Sequence, residues 1–159
     1  NVTLADIARL TDVFYIGGTK VGALCGEAVV FPHGAPAHFM TMVKQQGALL
    51  AKGRLLGIQF DALFTDDLYF RISRHADEMA YQIRDIFVSA GYPLLFDSPT
   101  NQQYPIMPDE ELAILGKNFG YEYWERTDPT HSGVRFCASW ATTQENVDAL
   151  RAAVQALKK

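Results

Sequence analysis

The sequence predicts an α/β segment followed by a small α+β domain with an antiparallel sheet. Two short apolar runs, residues 13–16 and 28–31, lie on either side of a glycine-rich segment. That pattern is typical of two strands joined by a tight, irregular connection. Farther along, a long helical pattern precedes short alternating segments and two more helices, which favours a separate α+β arrangement.

The first third of the chain predicts a helix, a strand, a loop and a strand, and then a helical stretch. Thr3 and Asp6 have the spacing of a capping box, so we expect a helix over residues 3–10. Residues 37–64 are apolar and helical in character, but glycines weaken a continuous helix there. We therefore expect two helices or a kink. The glycines are Gly47, Gly53 and Gly57.

A longer helix is expected over residues 68–90, because apolar residues recur along one face and charged residues fill the other. Asp66 and Asp67 precede it and are candidates for its N-terminal cap. Gly91 and Pro93 follow it, and a glycine and then a proline are typical of a helix end. The helix therefore leads into the α+β part of the chain.

The rest of the chain predicts short strands and two helices. Helices are expected to begin at Pro108 and after Thr143, since proline suits a first turn and threonine suits an N-cap. Residues 121–125 alternate between apolar and polar, which predicts a half-buried strand. The expected strands cover residues 94–96, 103–107, 121–125 and 134–140.

Composition excludes several classes of function. The 159 residues carry a net charge of -4 and no block of lysine and arginine, so we expect no nucleic-acid partner. No apolar stretch is long enough for a membrane span, and no signal peptide is visible. Cys25 and Cys137 lack metal-ligand spacing, so no metal is expected. Both lie in apolar runs, so we expect them to be buried in a protein of the reducing cytoplasm.

Lys20 is the first candidate for chemistry. It lies in a segment that contains four glycines, Gly17, Gly18, Gly22 and Gly26. A lysine held in such a loop at strand ends can be a nucleophile that forms Schiff bases. The alternative is a solvated turn residue. Val21 follows the lysine where a P-loop has serine or threonine, so a phosphate-binding P-loop is excluded.

Arg135 and Arg54 are the other candidates. Arg135 alternates with Val134 and Phe136 in an apolar strand, so it is either a surface residue or a clamp for a carboxylate. Arg54 follows Gly53 in the glycine-containing helical stretch, where a solvated helix charge is the alternative to a binding role. The residues alone leave these alternatives open.

The segments 14–30 and 134–142 resemble the low-specificity threonine aldolases, of the β-eliminating-lyase group of fold-type I pyridoxal-phosphate (PLP) enzymes. The resemblance implies that Lys20 is the Schiff-base lysine and that Arg135 binds the α-carboxylate of an amino-acid substrate. It also implies that Thr19 and Gly18 lie near the cofactor phosphate and that Arg54 reaches that phosphate, commonly across a subunit interface. One departure is Val21, where relatives often carry asparagine.

The resemblance further implies the C-terminal part of a fold-type I transferase fold. Residues 1–36 would end the PLP-binding domain, 37–66 would form a helical connector and 67–159 the small α+β domain. The implied reaction is aldol cleavage of L-threonine or L-allo-threonine to glycine and an aldehyde, by a homodimer or homotetramer. We expect residues before Lys20 that this chain lacks, from its own or a companion polypeptide, to complete the site. Another fold-type I lyase acting by β-elimination, or a non-catalytic α+β module, is the alternative.

Overall fold

The computed structural model describes residues 2–158 and divides into two compact units, Asn1–Tyr69 and Phe70–Lys159. The expected fold class is confirmed, because helices and strands mix in both units and every strand pairing is antiparallel. The three-part division at residues 36 and 66 stays a prediction. None of the helices in residues 2–158 has the length and apolar character that a membrane crossing requires.

In its described residues the first unit contains three α-helices and a two-stranded sheet. They are α1 (Leu4–Leu10), β1 (Phe14–Gly17), β2 (Glu27–Val30), α2 (Phe39–Gln45) and α3 (Arg54–Phe64). The predicted capping box is present, since the Thr3 hydroxyl accepts from the Asp6 N–H and the Asp6 carboxylate accepts from the Thr3 N–H. Strands β1 and β2 pair in the register Tyr15 with Val29. This pairing brings both ends of the lysine segment together.

The second unit is built on the helix α4 (Leu68–Ser89), which starts at the end of the first unit. It continues with β3 (Gln102–Gln103), β4 (Ile106–Pro108), α5 (Asp109–Leu115), β5 (Glu122–Arg126), β6 (His131–Cys137) and α6 (Gln144–Ala156). Strand β6 pairs with all three other strands. It is therefore the organising strand of this unit.

The core of the second unit forms between α4, α5, α6 and one face of β6. The expected alternation is confirmed there, because Val134 and Phe136 are buried while Arg135 is half-buried and Cys137 is exposed. Gly91 ends α4 in the left-handed conformation, with φ of 86°. The core residues contributed by the helices include Ile83, Phe87, Leu112, Leu115, Val147 and Val154.

The expected half-burial of the strand at 121–125 is wrong. Every residue of β5 is exposed, including Trp124 at 47% and Tyr123 at 62%. Among the described strands β5 pairs only with β6, and no residue of β5 belongs to the core. An alternating pattern identifies two faces of a strand, but it does not say whether anything covers either face.

Three smaller expectations also fail. Cys25 and Cys137 are both exposed, because Cys25 lies in the turn before β2 and Cys137 on the outer face of β6. Asp66 and Asp67 adopt left-handed φ angles of 51° and 56°, whereas an N-cap residue is normally extended. The segment at 94–96 forms only an isolated bridge, between Leu94 and Pro105.

Candidate functional site

Lys20 is the middle residue of a 3-10 turn, Thr19–Val21, between β1 and β2. The Gly18 carbonyl accepts hydrogen bonds from the Val21 N–H at 3.1 Å and from the Ala23 N–H at 3.0 Å. Val21 points inward and is buried, while the Thr19 and Lys20 side chains are exposed. The turn therefore presents the lysine outward from an anchored backbone.

Gly18 is the closest packing point of this loop. A Cβ at Gly18 would lie 2.9 Å from Phe60 Cζ and 3.0 Å from both the Ala23 Cβ and the Gly26 carbonyl oxygen. Contacts under about 3 Å are shorter than packed atoms tolerate, so only glycine fits there. The helix α3, which carries Phe60, thereby lies directly against the lysine loop.

Polar contacts fix the same loop. The Gln59 side chain accepts from the Leu24 N–H at 2.6 Å and donates to the Leu55 carbonyl at 2.9 Å. On the other side, the Tyr69 hydroxyl donates to the Gly17 carbonyl at 3.1 Å. Burial raises the pKa of Tyr69, so its hydroxyl keeps the proton that it donates. The loop is thus tied to α3 and to the start of α4.

The Lys20 ammonium group has no hydrogen bond or ion pair with any residue in the range 2–158. An exposed lysine without a fixed carboxylate partner keeps its amine available for reaction. The turn explains why the Lys20 side chain points away from the loop. The local geometry does not select one particular ligand for its amine.

Arg54 is the first residue of α3. It is exposed, and within the described part of the chain its guanidinium group has no ion pair. The same helix contacts the lysine loop through Leu56, which is 3.1 Å from a Cβ placed at Gly26, and through Gln59 and Phe60. Arg54 and Lys20 are therefore attached to neighbouring elements of one unit.

Arg135 belongs to the second unit and lies in the centre of β6. Its Nη1 donates to the Gln102 Oε1 at 3.2 Å, and its Nη2 forms an ion pair with Glu122. The guanidinium carbon is 5.6 Å from the centroid of the Trp124 ring, within cation–π range. Its Nε is buried and has no hydrogen-bond partner among the described residues.

The Arg135 side chain borders a shallow recess of about 330 Å³. The lining residues are Gly120, Tyr121, Glu122, Arg135 and Cys137. This side chain is 25% exposed, so its charge can be reached from the recess. A forked guanidinium group in an accessible recess is suited to a carboxylate.

In residues 2–158 no cluster of three acidic, histidine or cysteine side chains is placed to hold a metal ion.

Sequence reasoning named Arg135 but missed the residues that surround it. Glu122 lies directly opposite Arg135 in the register of β5 and β6, whereas Gln102 pairs with Cys137 on the other side. Only the strand register brings these side chains together. Gln59 in α3 and Tyr69 in α4 were also missed, since each contacts the lysine loop from a distant part of the sequence.

Comparison with known proteins places these features in a family. A low-specificity L-threonine aldolase from Pseudomonas sp. (strain NCIMB 10558) is 31% identical over 148 residues, which are 92% of this chain and 42% of that protein. The threonine aldolase of Leishmania major superposes with a TM-score of 0.95 at 38% identity, over all of this chain and 47% of that one. The chain belongs to the low-specificity threonine aldolase family.

A solved structure with much lower sequence identity has a similar fold. Serine palmitoyltransferase of Sphingomonas wittichii matches with a TM-score of 0.62 at 13% identity, over 96% of this chain. This likeness shows that the threonine aldolase segment has a fold-type I architecture. The chain matches no protein-family model. It spans about two fifths of the length of the curated relative.

Proposed function

We propose that this chain is part of a PLP-dependent lyase that cleaves L-threonine or L-allo-threonine to glycine and an aldehyde. The observation that carries the proposal is the exposed Lys20 amine, which has no ion pair within residues 2–158, on an anchored glycine loop in a chain that belongs to this family. PLP, when bound, supplies an electron sink for the electron pair released when the carbon–carbon bond breaks.

The described residues fit a phosphorylated pyridine cofactor. The Lys20 amine has no competing carboxylate in residues 2–158, and the missing side chain at Gly18 lets the loop backbone pack tightly beneath it. Arg54 carries a positive charge that has no ion pair among the described residues, which leaves it available to a phosphate group. The exposed Thr19 hydroxyl is a further donor. Under this proposal Lys20, Thr19, Gly18 and Arg54 hold the cofactor.

The proposal gives each charged group a separate task. Lys20 holds the cofactor covalently and, once its amine is released, moves a proton to or from the substrate. Arg135 binds the α-carboxylate of the amino acid, which orients the bond to be broken. The recess beside Arg135 is accessible from outside.

The proposal includes an assembly and a location. We propose a cytoplasmic homodimer or homotetramer in which Arg54 serves the cofactor of a neighbouring subunit. The exposed position of Arg54 at the start of α3 supports such reach. Light scattering on the full-length protein tests the assembly, and a monomer with full activity would remove this role from Arg54.

The full-length protein, reconstituted with PLP, tests the function. We expect the visible absorption band of lysine-bound PLP, together with release of glycine from L-threonine. Lys20→Ala should lose both. Lys44→Ala, which removes an exposed lysine from α2 of the same unit, is the matched control and should keep both.

Two results would contradict the proposal. One is a parent protein that takes up no PLP, and the other is a Lys20→Ala variant that keeps the absorption band. Formation of an α-keto acid and ammonia in place of glycine would identify β-elimination as the reaction.

Arg135→Lys should raise the KM for threonine, because the bidentate fork is lost while the charge remains.

A further inference from the structure

Fixed groups hold the Arg135 guanidinium group on two sides. Gln102 accepts its Nη1–H, and the same Gln102 oxygen accepts from the Tyr104 hydroxyl at 2.9 Å. The Trp124 ring lies at the guanidinium group, and the Tyr104 ring packs edge-on against Trp124 at 5.0 Å between centroids. Tyr104 is buried, so it anchors both supports of the arginine.

The remaining contact, with Glu122, is of a different kind. Glu122 is 70% exposed, whereas the Arg135 side chain is 25% exposed. The carboxylate reaches the arginine from the directly opposite position on β5, a strand whose residues are all exposed. An exposed ion pair of this kind contributes little stability, so another carboxylate can replace it.

Glu122 contacts only one of the two neighbouring N–H groups through which an arginine can bind a carboxylate. In a guanidinium group, the Nε–H and one Nη2–H point the same way and can together bind both oxygens of a carboxylate. Glu122 contacts the Nη2 side, and the buried Nε has no acceptor among the described residues. A carboxylate that replaced Glu122 would accept from the Nη2–H, and its second oxygen would lie on the side of the guanidinium group to which the unsatisfied Nε–H points.

We propose that Glu122 is a resident carboxylate that holds Arg135 in place and is displaced by the α-carboxylate of the substrate. This role of Glu122 rests on the proposed function for the identity of the ligand. Glu122 thereby lowers the affinity for amino acids, since each binding event must first break its ion pair. Removing its charge should tighten binding about two- to fivefold, the range of an exposed ion pair.

The test compares Glu122→Gln with Glu125→Gln in the PLP-loaded full-length protein. Glutamine keeps the size of the side chain and removes the charge. Glu125 is an exposed acid of the same strand that pairs with Gly133, so it is a control of equal charge change away from Arg135. Glycine is the probe, because it carries the α-carboxylate and lacks the Cα–Cβ bond that the proposed reaction breaks. Its dissociation constant is measured by calorimetry, and the KM for threonine is measured beside it.

We expect Glu122→Gln to lower both the glycine dissociation constant and the KM about two- to fivefold, and Glu125→Gln to change neither. Equal or weaker glycine binding by Glu122→Gln would overturn the proposal. So would a joint fall in kcat and Tm without tighter binding, which marks a purely structural pair. Undetectable glycine binding by parent and variant alike would also overturn it.

The two proposals fail in distinguishable ways. A protein that cleaves threonine but binds glycine equally well with and without the Glu122 charge refutes only the role of Glu122. Calorimetry with the PLP-free protein gives the converse case. If the protein shows no lyase activity after PLP is supplied, and Glu122→Gln still binds glycine more tightly in the PLP-free state, the lyase proposal fails and the displaced carboxylate stands.

Discussion

Phe60 lies so close to Gly18 that the loop carrying Lys20 has no room for a side chain at this glycine. Gly18→Ala should therefore destabilise the protein by about 1–3 kcal/mol, because the ring and the backbone beside it must shift. The matched control is Gly57→Ala in α3, where a Cβ would meet nothing within 4 Å. That change should stabilise the helix by about 0.5–1 kcal/mol.

Urea unfolding followed by circular dichroism measures both glycine variants. PLP affinity is measured in parallel, and we expect Gly18→Ala alone to weaken it, since the shift moves the lysine turn. A Gly18→Ala protein as stable as Gly57→Ala would show that the close contact with Phe60 relaxes without cost.

Gln59 connects the lysine loop to α3 through two hydrogen bonds. Gln59→Ala should cost about 0.5–1.5 kcal/mol for each hydrogen bond lost, and it leaves the Leu24 N–H without its acceptor. Gln45→Ala at the exposed end of α2 is the control and should change stability by less than about 0.5 kcal/mol. Amide hydrogen exchange at Leu24 reads the loop directly. Unchanged exchange in Gln59→Ala would remove Gln59 from the support of the loop.

Tyr92 donates a hydrogen bond of 2.5 Å to Glu111 in the second unit. Burial raises the pKa of Tyr92 above its usual value of 10, and the Glu111 contact raises it further. The folded state therefore holds this proton more tightly than the unfolded state does. The resulting stability is complete below about pH 10 and declines as the pH rises above that value.

Tyr92→Phe should lose about 1–3 kcal/mol of stability at pH 7, because the Glu111 carboxylate loses its donor. Above pH 10 the difference in unfolding free energy between Tyr92→Phe and the parent should become smaller. Tyr123→Phe, on exposed β5, is the control and should match the parent throughout. Denaturant midpoints from pH 7 to pH 11 measure both, and a constant gap would contradict the assignment.

Asp128 shapes the turn between β5 and β6. The backbone N–H of Thr130 lowers the pKa of Asp128 to about 2, and the side chains of His131 and Thr130 add to the effect. Since the folded-state pKa lies below the unfolded value, the contribution is present above about pH 4 and is lost as the pH falls towards 2.

Asp128→Asn should therefore be less stable than the parent at pH 7 and should differ less from it at pH 2. Asp97→Asn, at an exposed position with no hydrogen bond among the described residues, is the control. Thermal melts between pH 2 and pH 7 give the comparison. An Asp128→Asn difference that stays the same at both ends of this range would assign the effect to shape and not to charge.

Local sequence patterns predicted most of the elements. The capping pair Thr3 and Asp6, the Gly91 helix end and the alternation through Val134 and Phe136 are confirmed. Each depends on residues within a few positions of one another, so the physics that fixes it is contained in the local sequence. The family was recognised from the segments 14–30 and 134–142 in the same way, and the curated relative confirms it.

Other features depended on contacts that no local pattern contains. The exposure of β5, the exposure of Cys25 and Cys137, and the pairing of Arg135 with Glu122 follow from which element covers which face. The roles of Lys20, Thr19, Gly18, Arg54 and Arg135 stay predictions. The sequence by itself determined the helices and most of the strands, because short-range sterics and periodicity decide them. Only the tertiary structure decided that Phe60 braces the lysine loop and that a carboxylate already occupies Arg135, because strand register and helix packing join residues distant in the chain.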